Sequence, residues 1–173
     1  MSIKQLLTEL KAAYHKAGLN CGDGLHPPAS EQAIEGIATK LAMPIPEELR
    51  DVLRVHGGQD YISPGITGLF GSHKLLSPAE IVEDYQMFLT HCLWDPLPEF
   101  PPKDSDSGYW IPSLIPFASW DAYDLCVHSL RGDVWEFCPN VGLTEIGSNI
   151  RAVLRELIDA VKAGREPSLP FDE

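Results

Sequence analysis

The amino-terminal part of the chain has apolar residues at helical spacing. From Ile3 to Tyr14 they follow the i, i+3, i+4, i+7 pattern of a helix with one buried face, and Ser2 stands before them as an N-cap. The same spacing predicts a second helix that begins after Ser30 and a third that has Pro46 as its first helical residue. We therefore expect the first third of the chain to be helical.

A fourth helix and a long loop are predicted in the middle of the chain. The sequence Ser77-Pro78-Ala79-Glu80 is a capping box with proline at the first helical position, which marks the start of a helix. Residues 94–109 contain four prolines and several carboxylates, so neither a helix nor a central strand fits this segment. We expect an exposed loop there, and loops of this length are often functional.

Strand patterns dominate from residue 111 onward. Residues 111–118 form an apolar run, and residues 123–130 alternate between apolar and polar positions before a turn at 131–133. Val134–Cys138 then returns as a second strand, which predicts an antiparallel hairpin. A final helix with a continuous apolar stripe begins near Ser148 and ends at Gly164.

The order of these elements predicts the fold class. Helices come first, strands follow, and a helix closes the chain, which is typical of α+β proteins. A length of 173 residues fits one domain. We therefore expect a single domain over residues 1–166, with a mixed, mostly antiparallel sheet flanked by N-terminal and C-terminal helices. Residues 167–173 are expected to form a flexible tail.

Negative charge is concentrated in one block of the sequence. The chain has 13 Lys and Arg against 25 Asp and Glu, a formal net charge of −12. Residues 75–145 hold twelve carboxylates and two cations, which leaves −10 in this block. An acidic surface argues against nucleic acid or an anionic membrane as a direct partner. It favours either a basic protein partner or plain solubility.

Other sequence features bear on the compartment and on cofactors. No secretory signal and no apolar stretch long enough for a membrane span is present, so a cytoplasmic location is expected. The four cysteines show no metal-binding spacing, and we expect buried thiols, with Cys126 and Cys138 as neighbours across the hairpin. The histidines are isolated and the glycines match no phosphate-binding motif, so no metal and no cofactor is expected.

Candidate catalytic residues are few. Asp124, Cys126 and His128 alternate along one strand, which places neighbours on one face roughly 6–7 Å apart, too far for a Cys–His hydrogen bond. Asp121 and Asp124 could form an acid–base pair, but a solvated strand edge is the favoured interpretation. His56 is interpreted as a cation or cap at the end of the third helix. A cysteine- or carboxylate-dependent hydrolase therefore stays a disfavoured alternative.

Three segments, in order along the chain, resemble one known family. They are Leu53-Arg54-Val55-His56-Gly57-Gly58-Gln59 after a Pro-Glu-Glu helix, then Gly68-Leu69-Phe70-Gly71, and then Trp110-Ile111-Pro112 leading to Ile115-Pro116-Phe117-Ala118. This pattern is similar to that of the SUKH superfamily, the Smi/Knr-type cell-wall assembly regulators of fungi and their bacterial relatives. The resemblance covers residues 45–161, which makes residues 1–44 an N-terminal helical extension. The sequence at 119–124 replaces a glycine-rich acidic turn common in the family.

The resemblance implies a single α+β domain without catalytic residues or cofactors. Bacterial members look like immunity proteins that neutralise toxins, many of them nucleases, and fungal members look like regulatory scaffolds. The first hypothesis is therefore a non-enzymatic immunity protein that binds a basic toxin domain through acidic and aromatic residues, and the alternative is a scaffold that binds cellular proteins. The expected partner-binding residues are Glu99, Asp104, Asp106, Tyr109, Trp120, Asp121 and Asp124.

Overall fold

The chain forms three N-terminal helices, a fourth helix after a short strand, a four-strand run and a C-terminal helix. The computed structural model describes residues 1–22, 24–60, 66–92 and 110–169. The helices are α1 (Ile3–Lys16), α2 (Glu31–Leu41), α3 (Glu47–Leu53), α4 (Pro78–His91) and α5 (Ile150–Lys162). The strands are β1 (Lys74–Leu75), β2 (Leu114–Trp120), β3 (Tyr123–His128), β4 (Val134–Cys138) and β5 (Gly142–Gly147).

The helix starts follow the local signals in the sequence. Ser2 and Ser77 each form a complete capping box, and the side chain of Ser30 accepts a hydrogen bond from the backbone of Ala33. Pro46 is the N-cap of α3 and not its first helical residue, so that prediction was wrong by one position. The backbone of Pro46 is extended, and its carbonyl accepts the first bonds of the helix.

The five strands form one antiparallel sheet in the order β1-β2-β3-β4-β5. The predicted hairpin is confirmed, with Val127 opposite Val134. Strand β5 was not predicted, because two glycines bound it and its apolar residues do not alternate. Cys126 lies opposite Trp135, so the predicted neighbour relation of Cys126 and Cys138 is wrong. All four cysteines are free thiols.

Helices cover the sheet and close one hydrophobic core. On the side of α4, the rings of Phe88 and Phe137 meet edge to face with centroids 5.2 Å apart, and Trp110 packs on both. Helix α5 packs against β5 and against α1, while α2 packs against α4. Trp110 and Trp135 are buried, as expected of core residues. This architecture confirms the α+β prediction.

The last residue that the structure describes lies in the core. Leu169 is buried and belongs to the hydrophobic cluster, so this part of the segment 167–173 packs on the domain. The boundaries at residues 44 and 166 stay predictions. In the part of the chain that the structure describes, no helix combines the length and apolar character needed to cross a bilayer.

Candidate protein-binding surface

The turn between β2 and β3 is short and strained. Trp120 pairs with Tyr123, so Asp121 and Ala122 alone connect the two strands. Asp121 has a φ of 55°, in the left-handed region that two-residue hairpin turns demand and that glycine adopts with least cost. The chain thus keeps an exposed carboxylate at a place where glycine would be easier.

Trp120 is exposed beside this turn. Its side chain retains 49% of its accessible surface, although tryptophan is usually buried in a domain of this size. The ring stacks on Tyr123 with centroids 6.0 Å apart and an interplanar angle of 27°. It also meets His73 edge to face at 6.2 Å. Contacts on two sides hold the ring in place, so it presents a rigid aromatic surface to solvent.

A buried ionisable pair lies beneath Trp120. His73 is completely buried, and its Nε2 lies 3.3 Å from Oε1 of Glu136, which is also buried. The contact is too misaligned to count as a hydrogen bond. Buried polar groups of this kind are costly to a fold unless they are well paired. A buried ionisable pair directly behind an exposed tryptophan is an unusual combination, and it occurs at this end of the sheet.

Asp124 points to the opposite side of the sheet. It stands opposite Phe137, which packs on α4, so its carboxyl lies on the α4 face. Burial and, to a lesser extent, the nearby carboxylates of Asp84 and Glu136 together raise the pKa of Asp124 to about 7, against the lowering effect of a hydrogen bond from Ser119. Only 6% of Asp124 is exposed. The expectation that it contributes an accessible partner-binding carboxylate does not fit this position, because α4 covers that face of β3.

The other expected binding residues divide into two groups. Trp120 and Asp121 are exposed and adjacent, as the sequence suggested. Glu99, Asp104, Asp106 and Tyr109 lie outside the described residues. Sequence reasoning did not single out Tyr123 or His73. Tyr123 could have been found from the hairpin, since it faces Trp120 across the shortest turn, whereas His73 comes close only through the tertiary fold.

The described part of the acidic block is less exposed than its composition suggests. Eight of its twelve carboxylates lie within the described residues. Glu80 is bonded to Lys74 at 2.6 Å, and Asp133 is bonded to Arg131 at 2.7 Å. Asp124 and Glu136 are buried and Asp84 is half-buried, which leaves three fully exposed carboxylates: Glu83, Asp121 and Glu145. Among them, Asp121 is the neighbour of an exposed aromatic ring.

The described residues give little support to cysteine catalysis. Cys126 is fully buried, and burial together with Asp124 raises the pKa of its thiol well above the usual value. Its sulfur lies 3.6 Å from the carbonyl oxygen of Asp124. The Nδ1 atom of His128 accepts bonds from the backbone N–H groups of Leu130 and Arg131, each at 3.3 Å. The histidine is thus occupied with capping a turn.

His56 is a hydrogen-bond acceptor. Burial and the nearby Lys11 lower the pKa of His56, which favours the neutral ring. The Nζ atom of Lys11 donates to its Nε2 at 2.9 Å. The interpretation of His56 as a helix-terminal cation was therefore wrong. In the described ranges, no group of three His, Cys, Asp or Glu side chains could hold a metal ion.

Comparison with known proteins places the chain in a family. Residues 28–156 match the model of the SMI1 / KNR4 family (SUKH-1), which is about three-quarters of the chain. A comparison with the curated proteins gives no match. The SUKH family is known for toxin-immunity and cell-wall regulator roles. The match begins in the linker before α2, includes the whole sheet and ends within α5. The chain therefore belongs to the SMI1 / KNR4 family (SUKH-1).

Proposed function

We propose that the protein is a non-catalytic binding module, an immunity protein that neutralises a toxin domain by binding it in the cytoplasm. The observation that carries this proposal is the β2–β3 turn, where Trp120 is half exposed and held by Tyr123 while Asp121 keeps a left-handed backbone. Backbone strain next to an exposed aromatic ring is typical of sites that fold stability alone would not maintain. Tryptophan is also a preferred anchor of protein interfaces.

The charge of the chain supports a basic partner. A nuclease toxin must bind phosphates and therefore has a positive cleft. A chain with a net charge of −12 is attracted to such a cleft at long range, and an acidic turn with an aromatic anchor can occupy it. Glu99, Asp104, Asp106 and Tyr109 are proposed to extend the surface that Trp120 and Asp121 begin. Asp124 is buried on the α4 face of the sheet, and its pKa is raised to about 7, so it is not proposed to contact the partner.

Binding to the product of the neighbouring gene tests the proposal. We expect association whose rate falls as salt rises, because steering by exposed charges is screened. Trp120→Ala should weaken binding about 30-fold, which corresponds to about 2 kcal/mol, the loss typical of an interface anchor. Isothermal titration calorimetry and stopped-flow association at low and high salt measure both effects.

Leu130→Ala is the matched control for this experiment. Leu130 is an exposed apolar residue with 78% of its surface accessible, but it lies on the β3–β4 turn at the other end of the strand. We expect the same affinity as in the natural chain. Equal losses for the two variants, or a Trp120→Ala protein that binds normally, would place the interface elsewhere.

A regulatory scaffold is the second candidate, because the family includes cell-wall regulators. A scaffold would use the same surface for a cellular protein. The two functions separate when the neighbouring product is expressed in cells with and without this protein. Protection from growth arrest supports immunity, whereas a harmless neighbouring product supports the scaffold.

A further inference from the structure

A preformed groove lies beside Trp120. It has a volume of about 310 Å³ and runs between the loop 66–72 and the segment 166–168. Trp120 and Glu166 both line this groove. Within the described residues Glu166 makes no ion pair, and its side chain is exposed. An aromatic ring and an available carboxylate therefore share one small cleft.

The wall that carries Glu166 is fixed at both ends. On one side, the N–H of Arg165 donates to the carbonyl of Ala160 at 2.9 Å, which continues the end of α5. On the other side, Leu169 is buried in the core. Only Pro167 and Ser168 separate Glu166 from that anchor. The carboxylate is thus carried by a segment with little freedom, which lowers the entropy that a ligand must offset.

Gly71 sets the width of the groove. A Cβ atom at this position would lie 1.9 Å from the carbonyl oxygen of Pro167, so the two backbones touch where no side chain fits. The φ of Gly71 is 70°, and its N–H donates to the buried hydroxyl of Tyr14 at 3.1 Å. The loop and the segment after α5 are therefore locked together, and the groove exists before any partner binds.

We propose that this groove binds an arginine side chain of the partner protein, with the guanidinium between the ring of Trp120 and the carboxylate of Glu166. The inference rests on the proposed function and names the partner residue that the site accepts. Trp120 is 49% exposed despite its contacts with Tyr123 and His73, so part of its ring surface is available to a cation. The exposed carboxylate of Asp121 adds negative potential next to the same ring.

Arginine fits this site better than lysine. A guanidinium is planar, so it stacks on an aromatic ring and donates two parallel hydrogen bonds to one carboxylate at the same time. An ammonium group is more strongly hydrated and makes only a point contact. The groove is lined by both partners that arginine uses, a flat ring and a carboxylate.

A peptide titration tests the site without any partner protein. The probes are acetyl-Gly-Arg-Gly-amide, the same peptide with lysine, and the same peptide with citrulline, which has the shape of arginine without its charge. Amide signals of Gly68, Gly71 and Ser72 and the indole signal of Trp120 are followed by ¹H–¹⁵N NMR. For the arginine peptide we expect saturable shifts with a Kd of about 1–10 mM, because a single anchoring side chain supplies only weak affinity. The lysine peptide should bind several-fold more weakly and citrulline not measurably.

Two variants and one matched control locate the site. Glu166→Gln and Trp120→Leu should each raise the Kd of the arginine peptide about three- to fivefold. The loss of one exposed ion pair or of one exposed cation–π contact weakens binding by about this factor. Glu156→Gln removes an exposed carboxylate of α5 that does not line the groove, and it should leave the Kd unchanged. Both variants replace exposed side chains, and circular dichroism checks that each protein is folded.

Several outcomes would overturn the assignment. They are shifts that do not saturate, equal binding of arginine and citrulline, equal binding of arginine and lysine, or equal effects of Glu166→Gln and Glu156→Gln. The proposed function can fail separately, because it depends on the neighbouring gene product and this titration does not. If that product binds in a Trp120-dependent way but ignores Glu166→Gln, the immunity proposal stands and the arginine site falls.

Discussion

The two turns at the ends of β3 differ in the residue at their left-handed position and in the contacts around it. At the β3–β4 end, glycine occupies the left-handed position, with a φ of 81° at Gly132. The ring of His128 accepts two backbone N–H groups of the turn. At the β2–β3 end, the left-handed position is held by Asp121, and the neighbouring tryptophan is exposed. The first turn is thus built from glycine and a capping histidine, whereas the second has a left-handed aspartate beside an exposed aromatic ring.

The carboxylates near these turns show the same contrast. Asp133 accepts bonds from Nε and Nη2 of Arg131 at 2.8 and 2.7 Å and a further bond from the indole N–H of Trp135. These bonds outweigh the effect of burial and lower the pKa of Asp133 to about 2. Asp124 lies among carboxylates, and its pKa is raised to about 7. The charged form of the carboxylate is thus stabilised at one end of β3, in Asp133, and destabilised at the other, in Asp124.

The largest effect is expected from Asp124→Asn. The raised pKa means that the folded chain holds a proton that the unfolded chain has released, so stability falls as pH rises from about 4 to about 7. Asparagine removes the charge and still accepts the bond from Ser119. The free energy of unfolding of the variant, minus that of the natural chain, should increase by about 2–3 kcal/mol between pH 5 and pH 8. Urea unfolding at the two pH values measures this difference.

Asp121→Asn is the control for that titration. Asp121 is exposed, and the difference between this variant and the natural chain should stay within about 0.5 kcal/mol at both pH values. Asp84, whose pKa burial and Glu80 raise, faces the same region from α4, and Lys74 and Glu80 lie nearby. A pH dependence that survives in Asp124→Asn would assign the proton to this neighbouring group instead.

A somewhat smaller loss is expected from Asp133→Asn. The lowered pKa of Asp133 stabilises the fold above about pH 4, and this contribution disappears as pH falls through about 2. At pH 7 the variant should lose about 2 kcal/mol, and near pH 2 it should match the natural chain. Denaturant unfolding across this range measures the difference. A constant loss at every pH would mean that shape, rather than charge, is what the substitution removes.

The smallest effects come from exchanging the residue types at the two left-handed positions. Gly132→Ala should cost about 1 kcal/mol from backbone strain alone, since a Cβ there meets nothing within 4 Å. Asp121→Gly should stabilise the chain by about 0.5–1 kcal/mol, because glycine relieves the strain. Thermal unfolding measures both changes. If Asp121→Gly is destabilising, the strain argument for this turn is wrong.

Local features of the fold were predictable because their causes are local. Ser2, Ser30 and Ser77 cap the helices that the sequence indicated, since a cap needs only residues three positions away. The β3–β4 hairpin followed from alternation around Gly132. The register of β4 with β5 was harder to predict, because a bulge between Val134 and Trp135 shifts the pairing of these strands. No sequence pattern indicated this bulge.

The candidate site was predictable only in part. Trp120 and Asp121 stood out as an aromatic and an acidic residue at a turn, and both are exposed. Asp124 stood out for the same reason, yet it is buried, because a strand in the middle of a sheet can be covered on both faces. Glu166 was not singled out, since it lies 46 positions from Trp120 in the sequence and lines the same groove only in the folded chain.

The sequence by itself determined the helices with their caps, the hairpin, the acidic character and the resemblance to the SUKH superfamily. Each of these depends on residue types and short spacings, which the chain carries without folding. Only the tertiary structure decided which carboxylates are buried, which tryptophan reaches solvent and where a groove opens. Those properties depend on what packs against each side chain, as α4 covers Asp124 and as the contact of Gly71 with Pro167 brings the segment of Glu166 to the groove that Trp120 lines.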